Sequence, residues 1–591
     1  MQDAEQDAVD PSTLTNAEPS APSDGPTEPS TPSAEPSALT RWAPTLLALA
    51  LGAACAWTVT EQDIFWQIRA GEDLVRLRAF PQIDSWSFTA AGKPWWNVQW
   101  LSTLLFAALY HLGGAPALVL GRVALVACWM GVLAATIRAV VPRARVLTTC
   151  LTLLPLFWTA LSFRLELRSD TLVFVVFAEI VRRFHRGTLR RWQLPCFVML
   201  AANLHVGTAP FVSALAIYLT LLDHRSSWRS TLGLTLASCA ALFVTPYHVR
   251  VLTHWTRHFF YSAHTTMYNP DHQPLAWRHF EPSVFGLHGW AWLALSTLAV
   301  IGFLATPPRR SAQIPANVMG CRDARRERWL GVLGFVLLTA MCANRLRVLP
   351  YQLMFLTPHL ARTLTRLIAK IPRAHTLATA GAAIAVSVTV HELTHGKLEY
   401  GLSLSPRMYP IGSAAFIARE QLTPNLFQTF AFGAYTVYAL RDYKDFVDTR
   451  ETMFDGLQTE ILEAYASPAL TQRMMDRYGI NVSMVPIPKT ALVAGLGYRN
   501  AITEYLPKEQ WALVYFDDIS VVVVRRIPEH ASVIERHEYR YLYPNLPPGN
   551  FLRMRPDASK LARYREEVER CLHDEPTNAF CMQTRDMLTA P

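Results

Sequence analysis

Charge is scarce through the middle of this chain, and the signatures that usually announce soluble chemistry are missing. Only 17% of its 591 residues are charged, while 51% are apolar. It has no GxxxxGK loop followed by Ser or Thr to cradle a phosphate, no GxGxxG before a helix and no paired CxxC. Soluble nucleotide-dependent chemistry therefore has no basis here; no cofactor and no set of metal ligands is identified, and the sequence leaves a divalent-metal requirement open. The first forty residues almost lack large apolar side chains; rich in Pro, Ser, Glu and Asp, they cannot bury enough surface to offset ordering entropy. A disordered tail is expected over 1–40.

What the chain does have is apolar length. From Arg41 to about His391, runs follow one another between short polar loops, many of them rich enough in Leu, Ala, Val and Phe to enter a bilayer, though those at 170–183 and 192–204 are short. Spans are expected near 43–60, 116–138, 146–162, 170–183, 192–204, 208–222, 231–245, 289–306, 329–343, 349–366 and 376–391. The first follows a polar tail and carries no small-residue cleavage pattern, so it reads as a retained signal anchor. From about 392 to 591 charge returns and long apolar runs stop, as in a water-soluble domain. The expected fold is thus mainly α: a polytopic helical bundle over 41–391 with a C-terminal soluble α/β domain.

The net charge of +9 sits in loop arginines, where orientation in a membrane explains it better than nucleic acid does. Residues 182–191 (RRFHRGTLRR) hold five arginines and no acid, and Arg138, Arg143 and Arg145 repeat the pattern one hairpin earlier. These loops, with those around Arg225/Arg229, 309–328 and 366–373, fall on one side only if the apolar run 100–114 does not fully cross. That run therefore reads as a re-entrant or interfacial helix, beside about eleven crossings. The tail is then cytoplasmic and 392–591 lies outside the cytoplasm.

The same assignment gathers Glu61, Asp63, Asp84, Arg164, Glu166, Arg168, Asn203, His205, His248, Arg345 and Arg347 on the outer face. Ionisable groups at the ends of spans are costly unless paired, hydrated or functional. Two readings stand for the Trp-rich loop 61–99: an interfacial anchor or a catalytic loop. Arg164 and Arg168 flanking Glu166 read first as a salt-bridged helix end, and His205 as a hydrogen-bonded turn residue. Arg345 and Arg347 bracket a break before Pro350; away from the positive-inside side, two arginines call for an anionic partner, for which phosphate is a good candidate. Cys571 and Cys581, in CLHDEPTNAFC, stand apart from the membrane cysteines and can form a disulfide if that region lies outside the cytoplasm.

The segments DIFWQIRAGEDLV, FPQIDSWSFTAAGKPWWNVQWL, LRSDTLVF, AANLHVG, TPYHVRVL and NRLRVLPYQLMFLTP, taken in order, resemble the polytopic C-type glycosyltransferase superfamily, and within it a bacterial group of membrane proteins. Motifs such as WALVYFDDISVVVVRR extend the resemblance past the last span. It implies a location in the bacterial inner membrane and a polyprenyl-phosphate-linked sugar as donor. It also implies an acidic first outer loop, a helix dipping at the interface, and a glycan, lipid or protein acceptor. Asp63 matches the acid that would orient or deprotonate the acceptor. Arg345 and Arg347 match the arginines that would hold the lipid phosphate, with Arg168 assisting and Glu61, Asp84, Arg164, Glu166 and His205 as acceptor or supporting residues. Three departures stand out: Gln67 where the group commonly shows His, Val98-Gln99 in place of a His-Glu pair, and Arg168-Ser169 in place of Arg-Pro. Gln67, Val98 and Gln99 favour a second reading, a non-catalytic membrane binding or assembly protein. A transporter is weaker, since no internal repeat or matched pair of mid-span acids is present.

In 392–591 a helix is expected near 413–420, then alternating apolar runs at FQTFAFGAYTVYAL, NVSMVPI and WALVYFDDISVVVVRR, the last a hairpin turning at Asp517-Asp518. Helical patterns cover 451–478 and 556–573. Asp445, Asp448 and Arg450 read as solvated loop charges, with acceptor contact as the alternative.

Overall fold

The apolar runs become helices, each broken where the sequence supplies Gly, Pro or a polar cap. A computed structural model describes residues 38–224, 227–256, 274, 286–305, 318–321, 323–395, 398–450, 453–487, 491–493, 497–499, 501–544, 546, 548–553 and 555–589. The tail expected to be disordered falls almost wholly outside these residues, as do much of the loop 246–288 and half of the basic loop 309–328. The chain forms two units, Met1–Trp42 and Ala43–Pro591; everything below concerns the second.

The first long helices are α1 (Ala38–Ala53), α2 (Ile64–Leu77), α3 (Trp100–Val140), α4 (Arg143–Ala160), α5 (Ser169–Arg186) and α6 (Gln193–Leu204). They are followed by α7 (Ala209–Leu222), α8 (Trp228–Ala241), α9 (Gly286–Ala305), α10 (Ala324–Asn344), α11 (Leu349–Ile368) and α12 (Ala374–His395). The run expected as a span over 43–60 stops being helical at Ala53, and the chain beyond it bridges to the later part of the molecule at Trp57–Tyr400 and Val59–Leu404. Of the two short expected spans, α5 extends to 18 residues, closed by Gly187 in the left-handed region, while α6 keeps 12.

Three helices among the described residues are long and apolar enough, by length and composition, to cross a membrane: Trp100–Val140, Leu287–Leu304 and Ala374–His395. The last decides the solvent. Its mean hydropathy is 1.3, yet only 6% of that stretch is buried by protein, leaving Leu377, Ile384 and Val388 bare. Apolar surface uncovered to that extent is costly in water and at home in lipid. The molecule is a mainly helical membrane protein.

Helix α3 is two helices joined at a break. Gly114 takes φ +61 and ψ −144, a conformation essentially reserved for glycine, and Pro116 follows. A Cβ on Gly121 would come within 3.0 Å of the Leu109 side chain, although twelve residues of straight helix would part them by about 18 Å. The run 100–114 thus folds back against the helix that follows it. Gly71 on α2 sits directly on the Thr103 carbonyl, so α2 and the start of α3 approach backbone to backbone.

Past α12 come α13 (Ile411–Arg419), β1 (Leu426–Gln428), α14 (Phe430–Ala439), α15 (Asp455–Ala464), α16 (Pro468–Arg477) and β2 (Val482–Pro486). A short ribbon of β3 (Ala491–Val493) and β4 (Gly497–Arg499) leads to β5 (Trp511–Phe516) and β6 (Ser520–Arg525), then α17 (Ala531–His537), α18 (Ala558–Asp574) and α19 (Ala579–Thr589). Among the described residues the main sheet has the order β1-β2-β6-β5, with β1 and β2 parallel and the other pairs antiparallel. The β5–β6 hairpin turns where Asp517 Oδ1 accepts from the Ile519 and Ser520 amides. Both sheet faces are covered: Val521 and Val523 join one apolar cluster, Val522 and Val524 another, which is why this strand reads as an unbroken run of valine. A disulfide joins Cys571 on α18 to Cys581 on α19.

One expectation fails here. Most of FQTFAFGAYTVYAL is the helix α14, not a strand, because Phe432, Ala434 and Val437 are all buried and Gly433 packs on the Val447 carbonyl. Aromatic and β-branched residues gave a strand-like composition that tertiary burial overrides.

Candidate functional site

A cavity of about 870 Å³ opens between the first loop, the ends of the membrane helices and the C-terminal region. Its wall gathers segments far apart in sequence: Glu61, Asp63 and Gln67 around the start of α2, Trp95 to Gln99 before α3, Arg168 and Ser169 at the start of α5, His205 after α6, Arg347 before α11, and Thr429, Thr449 and Arg450 beyond α12.

The acid and the cations meet directly. Asp63 is the residue before α2, and its Oδ1 accepts from Trp66 Nε1 at 3.2 Å. Arg168 precedes α5 in an extended conformation, which swings its guanidinium back toward the first loop. There Arg168 Nε lies 3.4 Å from Glu61 Oε2, and Arg168 Nη2 3.9 Å from Asp63 Oδ2. Asp63 and Arg168 are each about a quarter exposed, with side chains 26% and 24% accessible, so both can meet a ligand. Arg347 sits in a 3-10 turn, Leu346–Val348, whose apolar members are buried and direct it to the cavity. Arg345 is not among the lining residues; it ends α10 with extended backbone, and the two late arginines part company.

His205 caps α6, with Nδ1 3.0 Å from Thr208 Oγ1, the turn role its sequence suggested, and it also lines the cavity. Burial first, then the charges of Arg347, His254, Arg168 and Arg164, hold its imidazole well below the usual range, so it is neutral at pH 7.

Other residues expected near the site have structural partners. Arg164 is fully buried and ion-paired with Asp170. Glu166 does not pair with its flanking arginines: Arg122 Nη1 lies 2.7 Å from Oε2, while Trp57 Nε1 and Thr60 Oγ1 donate to Oε1. The salt-bridged end therefore exists with partners other than those adjacent in sequence. Arg122, an arginine in the apolar middle of α3, was the missed signal; it also donates to the Cys55 and Trp57 carbonyls and pins the chain just past α1.

Asp84 is buried and lies outside the cavity. It accepts from Ser87 Oγ at 2.6 Å and stands 2.8 Å from Arg450 Nη1. Arg450 in turn pairs with Asp448 at 2.6 Å and lies against the contacting rings of Trp86 and Trp95, 4.5 and 4.7 Å from their centroids. Asp445, Asp448 and Arg450 are thus buried, against the expectation of solvated loop charges. Arg450 takes a partner from the first loop, Asp84, while Asp448 pairs with Arg450 and Asp445 accepts from Gln428 Nε2; the link to the first loop is one that no local pattern reveals. The same contacts account for the loop's tryptophans: Trp66, Trp86 and Trp95 pack into a core shared with β5, β6 and α18 rather than serving only as an interfacial anchor.

The departures from the family pattern also converge. Gln67, Val98, Gln99 and Ser169 all line the cavity, and the Ser169 hydroxyl donates to Gln99 Oε1. One motif was overlooked in sequence: His391-Glu392-Leu393-Thr394-His395 matches H-E-x-x-H. It lies at the exposed end of α12, with the His391 and His395 ring centroids 3.9 Å apart. Among the described residues no group of three or more His, Cys, Asp or Glu is placed to hold a metal ion.

No family model and no curated protein sequence matches the chain. Solved structures do. The arabinofuranosyltransferase AftD from Mycobacteria matches 83% of this chain and 40% of its own, at 14% identity and TM-score 0.44. ArnT from Cupriavidus metallidurans bound to undecaprenyl phosphate matches 84% of this chain and 99% of its own, at 13% identity and TM-score 0.46. The Archaeoglobus fulgidus oligosaccharyltransferase tethered to an acceptor peptide matches 76% and 69%, at 8% identity and TM-score 0.45. Each is a distant similarity, and the chemistry assigned to this chain has to come from its own residues.

Proposed function

We propose that this protein is a membrane glycosyltransferase that moves a sugar from a polyprenyl-phosphate donor to an acceptor on the outer face of the membrane. The observation that carries it is the meeting, in one cavity at the ends of membrane helices, of the accessible carboxylate of Asp63 with the guanidinium groups of Arg168 and Arg347. In this reading Arg168 and Arg347 bind the donor phosphate. Asp63 takes the acceptor hydroxyl proton as the acceptor oxygen bonds to the anomeric carbon. The bond from that carbon to the phosphate oxygen breaks, and its electron pair leaves with the phosphate, whose charge the two arginines stabilise. Arg345 acts from outside the cavity, as a support to this pair.

The reading carries a topology with it: about eleven crossings, the run 100–114 dipping and returning, a signal-anchor first helix, the N-terminus in the cytoplasm and residues 392–591 as an outer-face domain of a bacterial inner-membrane protein. Changing Asp63 to Asn in the chromosome, with expression held equal, should remove one sugar from the envelope glycans. An unchanged glycan profile sinks the assignment of Asp63. A second reading, a binding or assembly protein on the same scaffold, is favoured by the neutral side chains Gln67, Val98, Gln99 and Ser169 in the cavity wall. A purified protein that binds polyprenyl phosphate and never consumes the linked sugar would support it.

A further inference from the structure

The turn that carries Asp63 is held by a segment far from it in sequence. Residues 399–409, just beyond α12, run beside 54–61, the chain between α1 and α2 that ends two residues before Asp63. The Thr58 amide donates to the Glu399 carbonyl at 2.7 Å and the Val59 amide to the Ser403 carbonyl at 2.9 Å. In return the Gly401 and Ser405 amides donate to the Ala56 and Val59 carbonyls, each at 3.0 Å. Backbone bonds of this kind fix the path of both segments whatever their side chains. The last contact comes from a side chain: Tyr409 Oη donates to the Glu61 carbonyl at 2.8 Å. Its ring is buried and meets Phe65, in the first turn of α2, edge to face at 4.9 Å. Tyr435 on α14 packs on both rings, 4.8 Å from that of Phe65 and 5.6 Å from that of Tyr409.

Glu61 passes that hold on to the groups in the cavity. Its Oε1 accepts from the Asp63 amide at 3.4 Å, and its Oε2 lies 3.4 Å from Arg168 Nε. One carboxylate thus orients both the backbone of Asp63 and the guanidinium beside it. Burial, then the charges of Glu61 and Glu166, push the Tyr409 phenol well above its usual range, so it remains a donor at any working pH. Met408 lines the cavity and Tyr409 does not. A group that stays out of the cavity acts only through the residue it holds, and a misplacement of about 1 Å at a reacting group can cost about 100-fold in rate. We propose that residues 399–409 set the position of Asp63 for sugar transfer, and that Tyr409 is the positioning residue through which they do so. The proposal rests on the transferase reading for the step that it serves; the ordering of the Asp63 turn stands apart from turnover.

The test compares full-length wild type, Tyr409→Phe and Tyr400→Phe in lipid nanodiscs. Tyr409→Phe keeps the ring and its packing and removes only the donor. Tyr400→Phe removes another hydroxyl from the same segment, one that donates to the Ala54 carbonyl at 3.0 Å, away from Asp63. In Tyr409→Phe the amides of 61–67 should exchange with deuterium faster than in wild type, while the rest of the chain and the unfolding temperature stay close to wild type. With radiolabelled polyprenyl-phosphate pentoses and hexoses as donors, its maximal rate of consumption should fall about tenfold or more at an unchanged half-saturating concentration. Tyr400→Phe should alter neither readout. Wild-type exchange over 61–67 in Tyr409→Phe, faster exchange with an undiminished rate, the same effects from Tyr400→Phe, or a general loss of stability overturns the positioning role. If wild type consumes none of these donors while Tyr409→Phe alone loosens 61–67, the transferase reading fails and the hold of Tyr409 on the Asp63 turn remains.

Discussion

At the residue scale the sharpest lesson is Arg450. Sequence alone gives DYKDFVDTR the look of a solvated loop, and composition offers no reason to think otherwise. In the structure its side chain is 3% exposed, its guanidinium faces Asp84 and Asp448, and it lies against the rings of Trp86 and Trp95. Replacing it with Met strands buried carboxylates without a cation and should cost about 3–5 kcal/mol. Thermal melting followed by tryptophan fluorescence checks this, since both indoles lose a neighbour. Arg450→Lys should recover little, because an ammonium cannot fork between two acids or stack as a plane. Asp445 tests the same cluster by pH. Burial, then the charge of Asp448, raises its carboxyl well above the ordinary range. A folded value above the unfolded one means the native state holds the proton more tightly, so stability declines as pH climbs from about 4 through the raised value. Asp445→Asn removes that slope. Its melting temperature should therefore exceed that of the wild type by a margin that grows from pH 4.5 to pH 8; a constant margin would contradict the assignment.

Among elements, the helices of the membrane part were legible because apolar length and basic loops are local properties, read without knowing what packs on what. The hairpin β5–β6 was legible for a related reason: two strand-like runs meet at an Asp pair that sets the turn. Helix α14 was not, because its strand-like residues are held helical by burial against distant partners. The break in α3 is intermediate. Gly113-Gly114-Pro116 marks it in sequence, but only the packing of Leu109 beside Gly121 shows the chain folding back. Gly114→Ala should cost about 1–3 kcal/mol from backbone strain. Gly71→Val should cost at least as much by driving a side chain into the Thr103 backbone. Both are measurable as lowered unfolding temperatures, and Gly71→Val should also displace Asp63 at the start of the same helix.

For the whole molecule, the site was half legible. Asp63, Arg168, His205 and Arg347 were picked out as ionisable groups at the ends of spans and do share a cavity. The half contributed by Thr429 and Thr449 was not, and Arg450 was read first as a solvated charge with acceptor contact only as the alternative, since nothing in a sequence says which face of a C-terminal region closes over a membrane bundle. That closure puts the neutral side chains of Gln67, Thr429 and Thr449 in the same cavity wall as Asp63 and the arginines. The account stands or falls on what Asp63 does there. The decisive measurement follows a radiolabelled polyprenyl-phosphate sugar with purified protein in nanodiscs, reading binding and consumption separately for wild type, Asp63→Asn and Arg347→Ala. The account predicts that Asp63→Asn binds the donor as wild type does but consumes it about 100-fold or more slowly, while Arg347→Ala loses donor affinity. Undiminished consumption by Asp63→Asn, or donor binding indifferent to Arg347, would contradict it.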